Sequence, residues 1–377
     1  MSTEGSTTST EFGFYVHVPF CASRCDYCAF ATWTDRDHLM EPYAQACIEE
    51  ARRSVAQEDL PLATSVFFGG GTPSRLDPDL LCGILEALPR TDDAEVTVEC
   101  NPEDASSALF DAWLSGGVNR ISFGAQSMVT EVLEGLGRRH RPGSVENAVS
   151  LAGEAGFGSI SVDLIFGGAG ESGETWIESL YAVLALEPRP QHLSCYALTV
   201  EPGTPLARDP NRHPDEDEQA ARYEIADSIL SSAGYGWYEI SNWSLPGHRC
   251  RHNLLYWQQG DYRGIGAAAH SHRQGTRFWN VRSPERYIRS VSSGASPVAA
   301  SEVLDRRTRE FEALELMLRT SAGVPIETVP DDPALDGLLE RTTGRAVLTL
   351  RGRLLANDVA VRLDPAGSDA PAGILRP

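Results

Sequence analysis

The chain contains no lysine: all 32 of its basic residues are arginine. That excludes Schiff-base chemistry on a lysine, pyridoxal phosphate sites included, and a Walker A phosphate loop. Positive charge is scarce in general, with 32 basic against 53 acidic residues and a net charge of -21. Such a surface repels nucleic acid and anionic lipid, so no nucleic-acid partner is expected. No stretch approaches the roughly 18 consecutive apolar residues of a membrane span. Residues 1–11, MSTEGSTTSTE, lack the basic and apolar regions of a secretion signal and read as a disordered tail. A cytoplasmic location is therefore expected. The remaining composition, 41% hydrophobic and 23% charged over 377 residues, suits a globular protein with one large domain and one small one.

Apolar β-rich runs at 12–18, 65–68, 95–99, 120–124, 159–166 and 192–198 alternate with helical patterns. Strand–helix alternation predicts an α/β fold with a parallel sheet. Each run leads into polar or glycine-rich residues, such as GGGTP, CNPED, AQS, GGAGES and TVEPGTP. In a β/α barrel the carboxyl ends of the strands carry the chemistry. Six such units predict a partial (β/α)6 barrel over 12–245, with a lateral gap that admits a large substrate. The same alternation also permits an open doubly wound sheet. Residues 246–300 form a connecting, aromatic-rich segment. Residues 301–377 read as a small winged-helix-like α+β domain, with a helix in RTREFEALELMLRT and a hairpin-like pair across RAVLTLRGRLLANDVAVRL. This last region holds 10 Arg against 13 acidic residues, which does not suit DNA.

There are eight cysteines. Cys47, Cys82, Cys100, Cys195 and Cys250 are isolated and read as small buried hydrophobes. Cys21, Cys25 and Cys28 cluster in CASRCDYCAF. Structural zinc wants four ligands, usually with a second paired motif, and none follows within reach. A disulfide would use two cysteines and strand the third. Three thiolates suit a 4Fe–4S cluster that leaves one iron without a protein ligand, whereas electron-transfer clusters use four. The open iron is then free to bind a small molecule.

With this spacing, and Tyr27 before the last cysteine, the chain resembles the radical S-adenosylmethionine superfamily, whose C-x-x-x-C-x-x-C loop follows the first barrel strand. The resemblance implies a 4Fe–4S cluster on Cys21, Cys25 and Cys28, with S-adenosylmethionine chelating the open iron. It also implies that Gly70, Gly71, Thr72, Glu99, Gln126, Arg138 and Asp163 hold S-adenosylmethionine, with Tyr15, Tyr27 and Ala197 at matching positions. YVHVPFC, FFGGGTPS, ECNPED, RISFGAQS, LGRRHRP, VDLIFGGAGES and SCYALTVEPGTPL match, in order, the oxygen-independent coproporphyrinogen III oxidase family.

Two features set the chain apart from those oxidases. Phe30 stands where they carry a fourth cysteine, and eleven residues precede the first strand where they carry a longer segment. Both features resemble a sister group of haem chaperones. That group carries H-N-x-x-Y-W, and His252, Asn253, Tyr256 and Trp257 match it in HNLLYW. The resemblance implies haem as a ligand and delivery to apo-proteins such as respiratory haem enzymes. Oxidative decarboxylation of porphyrinogen propionates is the alternative function. Local charge fits a flat dianion: residues 249–289 hold eight Arg against Asp261 and Glu285. His252 is the first choice of iron ligand, with His270 behind it. Peripheral membrane contact, a homodimer and cleavage of S-adenosylmethionine in normal work are left open.

Overall fold

The computed structural model describes residues 11–363. The expected N-terminal tail therefore lies, Glu11 apart, outside the described residues, as do the last residues of the C-terminal region. Six parallel strands follow one another through the sheet in chain order: β1 Phe12–Val18, β2 Ala63–Gly70, β3 Arg90–Cys100, β4 Arg120–Gln126, β5 Ser159–Phe166 and β6 His192–Ala197. These are the six runs read from the sequence. Each of the first five is followed by at least one helix, and β6 by the helix Glu216–Ser232.

The strands alternate in character with the period of two that a pleated sheet imposes. Phe14, Val16, Val66, Phe68, Val98, Ile121, Phe123, Val162 and Leu193 enter one large apolar core together with the helices. The residues between them are polar or aromatic: Tyr15, His17, Ser65, Glu99, Ser122, Ser161, Asp163 and Ser194. The helices thus cover one face, and the opposite face is a polar concave interior. Helix starts are set locally by N-caps: Asp77, Ser106, Ser172 and Asp215 each accept a backbone N–H from the first turn that follows.

The sheet runs past both ends of this six-strand unit. β7 Gly236–Glu239 and β8 Asn242–Ser244 form a hairpin laid antiparallel on β6. On the other side β9 Asp261–Ile265 lies parallel to β1. β10 His270–Arg273, β11 Thr276–Asn280 and β12 Val298–Val303 then continue antiparallel. The order β12-β11-β10-β9-β1-β2-β3-β4-β5-β6-β8-β7 has two free ends, so the sheet stays open among the described residues. The segment 246–300, read from sequence as a connection, also builds one wing of this sheet.

The C-terminal region forms an α+β unit with its own core of Leu318, Val324, Leu335, Ala346, Val359 and Leu363. It contains the antiparallel strands β13 Val324–Pro325, β14 Leu339–Thr342 and β15 Arg345–Leu348. The hairpin expected across RAVLTLRGRLLANDVAVRL is corrected here. Only Arg345–Leu348 of that stretch is strand; it pairs backward with β14, and helices Leu350–Leu354 and Ala356–Leu363 follow. Thr349 caps the first of these, and Ala356, Val359, Ala360 and Leu363 bury one helical stripe.

Candidate functional site

The loop after β1 carries the cysteine triplet, and backbone bonds pin it from three sides. Cys21 N–H donates to Trp33 O at 3.0 Å, and Trp33 N–H to Pro19 O at 2.8 Å. Asp26 N–H donates to Leu136 O, and Asp26 O accepts from Leu206 N–H. The Asp26 carboxylate also takes the Arg212 guanidinium at 2.8 Å. Gly137, at φ +72, is needed beside it, because a Cβ there would lie 2.8 Å from the Asp26 carboxyl carbon.

Cys21, Cys25 and Cys28 are free thiols that line one cavity of about 710 Å³ at the carboxyl ends of the strands. Of the residues expected to hold S-adenosylmethionine, Tyr27, Gly70, Gly71, Thr72, Glu99, Gln126, Arg138, Asp163 and Ala197 line the same cavity. Tyr15 does not. Its hydroxyl instead meets His17 Nδ1 at 3.1 Å, and His17 Nε2 meets Ala31 O at 3.0 Å, so it acts on the cysteine loop through His17. Burial, the largest cause, depresses the His17 pKa to about 4. Gly70, at φ +110, leaves room for that imidazole: a Cβ there would come within 2.3 Å of it.

Polar contacts organise the cavity wall. Thr72 Oγ1 donates to Cys21 Sγ at 3.6 Å, and Arg138 Nη1 donates to Cys25 Sγ at 3.3 Å. Asn101 ties the two together, accepting from Arg138 at 3.1 Å and donating to Thr72 at 3.4 Å. Glu99 accepts the Gly70 N–H at 3.1 Å. Burial and then the charge of Asp163 push its pKa up to about 8. Asp163 takes the Ser122 hydroxyl at 3.0 Å, and burial raises its pKa too. Gln126 ends β4 at φ +66. Tyr27 packs on a small apolar cluster with Leu136, Ile165, Leu198 and Leu206. Asn101, Tyr196 and Glu201 also line the cavity, and sequence reading did not single them out. Asn101 had a signal, since it lies in the quoted CNPED after β3.

The donor set fits a 4Fe–4S cluster. The thiols are unbridged, share one cavity, and two of them already accept from Thr72 and Arg138. Among the described residues no group of three His, Cys, Asp or Glu could hold a single metal ion. A cube offers a different iron to each thiolate, so three cluster ligands need not converge on one point. The isolated cysteines behave as expected: Cys47, Cys100, Cys195 and Cys250 are buried, and Cys82 is half-buried.

The HNLLYW motif lies elsewhere, on the short helix Arg251–Trp257 that packs against the concave side of β1 and β2 near their amino ends. Glu95 caps the helix, accepting the N–H groups of Arg251 and His252 at 3.1 and 3.2 Å. His252 is 2% exposed. Its Nδ1 lies 3.0 Å from Ser65 Oγ, its Nε2 2.9 Å from the Tyr256 hydroxyl, and its ring stacks on Phe67 at 5.4 Å. Burial lowers its pKa to about 3, so the ring is neutral. Asn253 donates to Glu239 at 3.4 Å, Tyr256 packs edge-on to Tyr262 at 4.6 Å, and Trp257 is half-buried at the helix end. The structure thus brings the cysteines and, Tyr15 apart, the residues expected to hold S-adenosylmethionine to one cavity, and places the HNLLYW residues apart from them, in a packed floor.

Residues 15–181 match the Radical SAM superfamily. The chain is 39% identical to "Heme chaperone HemW" of Mycobacterium tuberculosis, covering 92% of this chain and 93% of that protein. It is 32% identical to the protein of the same name from Bacillus subtilis, covering 92% and 97%. Among solved structures, coproporphyrinogen III oxidase from Escherichia coli, described as a radical SAM enzyme, superposes with a TM-score of 0.81 at 21% identity over 95% of this chain and 91% of that one. That likeness is one of fold.

Proposed function

The chain belongs to the HemW family within the radical SAM superfamily, and on that footing we propose that it is a haem chaperone, binding haem and passing it to apo-proteins such as respiratory haem enzymes. The observation that carries this reading is the kinship itself, 39% identity sustained over 92% of the chain. Phe30 supports it. This side chain stands where the oxidases have a cysteine, lines the cavity, and is 66% exposed.

Cys21, Cys25 and Cys28 would ligate three irons of a 4Fe–4S cluster, leaving the fourth for S-adenosylmethionine. When bound and reduced, that pair supplies an electron that breaks the sulfonium bond. The chain's own residues hold and orient. Gly70 and Gly71 line the cavity without side chains, so a ligand can approach the backbone there, while their N–H groups are held by Glu99 and Val18 O. Glu99, protonated below about pH 8, offers a donor and an acceptor to ribose hydroxyls. Arg138 keeps a positive charge on the Cys25 sulfur. Tyr27 and its apolar neighbours exclude water. The helix that carries His252, Asn253, Tyr256 and Trp257 is, in this reading, the packed floor that supports the haem-handling part of the chain. A cytoplasmic site of action belongs to the same proposal; no helix among the described residues is long and apolar enough to cross a membrane.

The test is anaerobic reconstitution with iron and sulfide, then a haem titration and a decarboxylation assay on one preparation. Stoichiometric haem uptake without conversion of coproporphyrinogen III, in the presence of reductant and S-adenosylmethionine, is the expected result. Catalytic formation of protoporphyrinogen by a preparation that retains no haem would overturn the reading.

A further inference from the structure

The polar concave face does not stop at β1. Tyr15 pairs across to Gly264 of β9, and Gly13 to Tyr262. Tyr262 pairs with His272 of β10, and the two rings lie 6.4 Å apart on the concave side, where Tyr262 also meets Tyr256. His270, two residues before His272, shares that face by the period of the strand. Trp279 of β11 lies directly opposite, stacked on the His270 ring at 5.5 Å and 22°. Gly264 leaves a strip without side chains between Tyr15 and His270; a Cβ there would strike His270 O at 2.1 Å.

His270 differs from the other histidine considered as an iron ligand. It is exposed, and neither ring nitrogen has a hydrogen-bond partner among the described residues. His252 is buried with both nitrogens engaged. The arginines sort in a similar way. Arg251, Arg263, Arg273 and Arg277 are held by acidic groups, and Arg249 lies over the Tyr238 ring. Arg286 and Arg289 are exposed on a helix that packs on Met40–Gln57, on the convex side. Arg282 is exposed, without a partner among the described residues, and follows the Val281–Ala268 backbone bond that joins it to the start of β10. Arg282 and His270 both bear electrostatically on His17, which holds the cysteine loop at Ala31.

We propose that haem docks on this wing of the concave face, with His270 as the axial iron ligand and Arg282 meeting a propionate. The proposal rests on the haem-chaperone reading and names the atom that reading needs. An imidazole with a free nitrogen is what haem iron takes from a protein. Arginine suits a carboxylate. Trp279 is a positioning residue: stacked on the imidazole, it fixes the plane in which the ring presents its nitrogen. The placement sets the iron beside the cysteine loop, outside the saturated floor.

The experiment titrates ferric haem into the full chain and reads the Soret spectrum and Kd for wild type, His270→Ala, Trp279→Leu and His252→Ala. His270→Ala is expected to lose the imidazole-ligated spectrum and bind about tenfold or more weakly, with free imidazole restoring the spectrum. Trp279→Leu is expected to weaken binding less and keep the ligation. His252→Ala is expected to keep the imidazole-ligated spectrum. An unchanged spectrum and Kd in His270→Ala would overturn the assignment, and so would imidazole rescue confined to His252→Ala. A wild-type chain that takes up no haem would instead bring down the chaperone reading, and this assignment with it.

Discussion

The two ends of the concave interior carry the two sequence motifs, and they are built in opposite ways. At the carboxyl end the cysteine thiols and, Tyr15 apart, the residues expected to hold S-adenosylmethionine border an open cavity of about 710 Å³. At the amino end the HNLLYW helix fills the space, and its polar side chains turn inward onto partners: His252 on Ser65 and Tyr256, Asn253 on Glu239. The lesson is that a chemistry-bearing residue type says little about access. Cys25 is held by its loop and by one guanidinium on its sulfur, leaving room for a ligand. His252 is a buried neutral ring with both nitrogens engaged by Ser65 and Tyr256.

The contrast breaks most visibly if the open end turns out to be structural. Cys25→Ala is expected to abolish the brown charge-transfer absorption after anaerobic reconstitution. Far-UV circular dichroism and the thermal midpoint of the unreconstituted chain should not move, because the thiol packs into no core. A large drop in that midpoint would mean that the loop is a stability element instead.

The reverse holds at the floor. His252→Ala removes a fully buried ring, leaves Ser65 and Tyr256 without their partner, and opens a cavity against Phe67. The expected cost is about 2–4 kcal/mol in urea unfolding, with cluster absorption intact. Equal stability of variant and wild type would show that the floor is looser than its hydrogen bonds indicate.

A finer version uses Gly13, which lets the floor helix approach β1. A Cβ at that position would lie 2.7 Å from Leu255 Cδ2 and 3.1 Å from His252 Cε1. Gly13→Ala is therefore expected to cost about 1–2 kcal/mol by overpacking. These atoms, with Ser65 Oγ at 3.0 Å, are side-chain ends able to shift, which places the cost below that of His252→Ala. A neutral result in the same urea series would mean that the helix slides freely.

Much of the open end was legible in the sequence, because a loop that binds a small ligand uses short contiguous stretches. CASRCDYC and GGGTP each hold neighbouring residues that act together. The six strands were legible because Phe14, Val16 and their counterparts alternate with polar residues. The floor and the wing were not legible. β9 returns to β1 across about 250 residues, and no local pattern encodes that pairing. His252 reads as a ligand until Ser65, in β2, comes into view beside its helix. The C-terminal helix Ala356–Leu363 was missed because the apolar run in LLANDVAVRL also fits a strand, and only the burial of Ala356, Val359 and Leu363 on one stripe decides it.

The smallest effect probes how dry the floor is. Glu239 sits in β7 with its carboxylate on the Ser241 N–H and the Asn253 amide. Burial pushes its pKa from 4.5 up to about 8. The folded chain therefore keeps a proton on Glu239 between those values, while the unfolded chain has lost it. Unfolding free energy must then fall as pH rises through that window, and the dependence on this group ends above about pH 8. The slope is on the order of 1 kcal/mol per pH unit. Glu239→Gln keeps the shape and removes the proton, so the difference between variant and wild type should grow steadily from pH 5 to about pH 8 in the variant's favour. Glu99 and Glu171 are also raised and contribute to the total slope, but they are common to both proteins and cancel in the difference. A difference that stays flat across the window would mean that water reaches Glu239, and the contrast between a closed floor and an open cavity would then be one of degree.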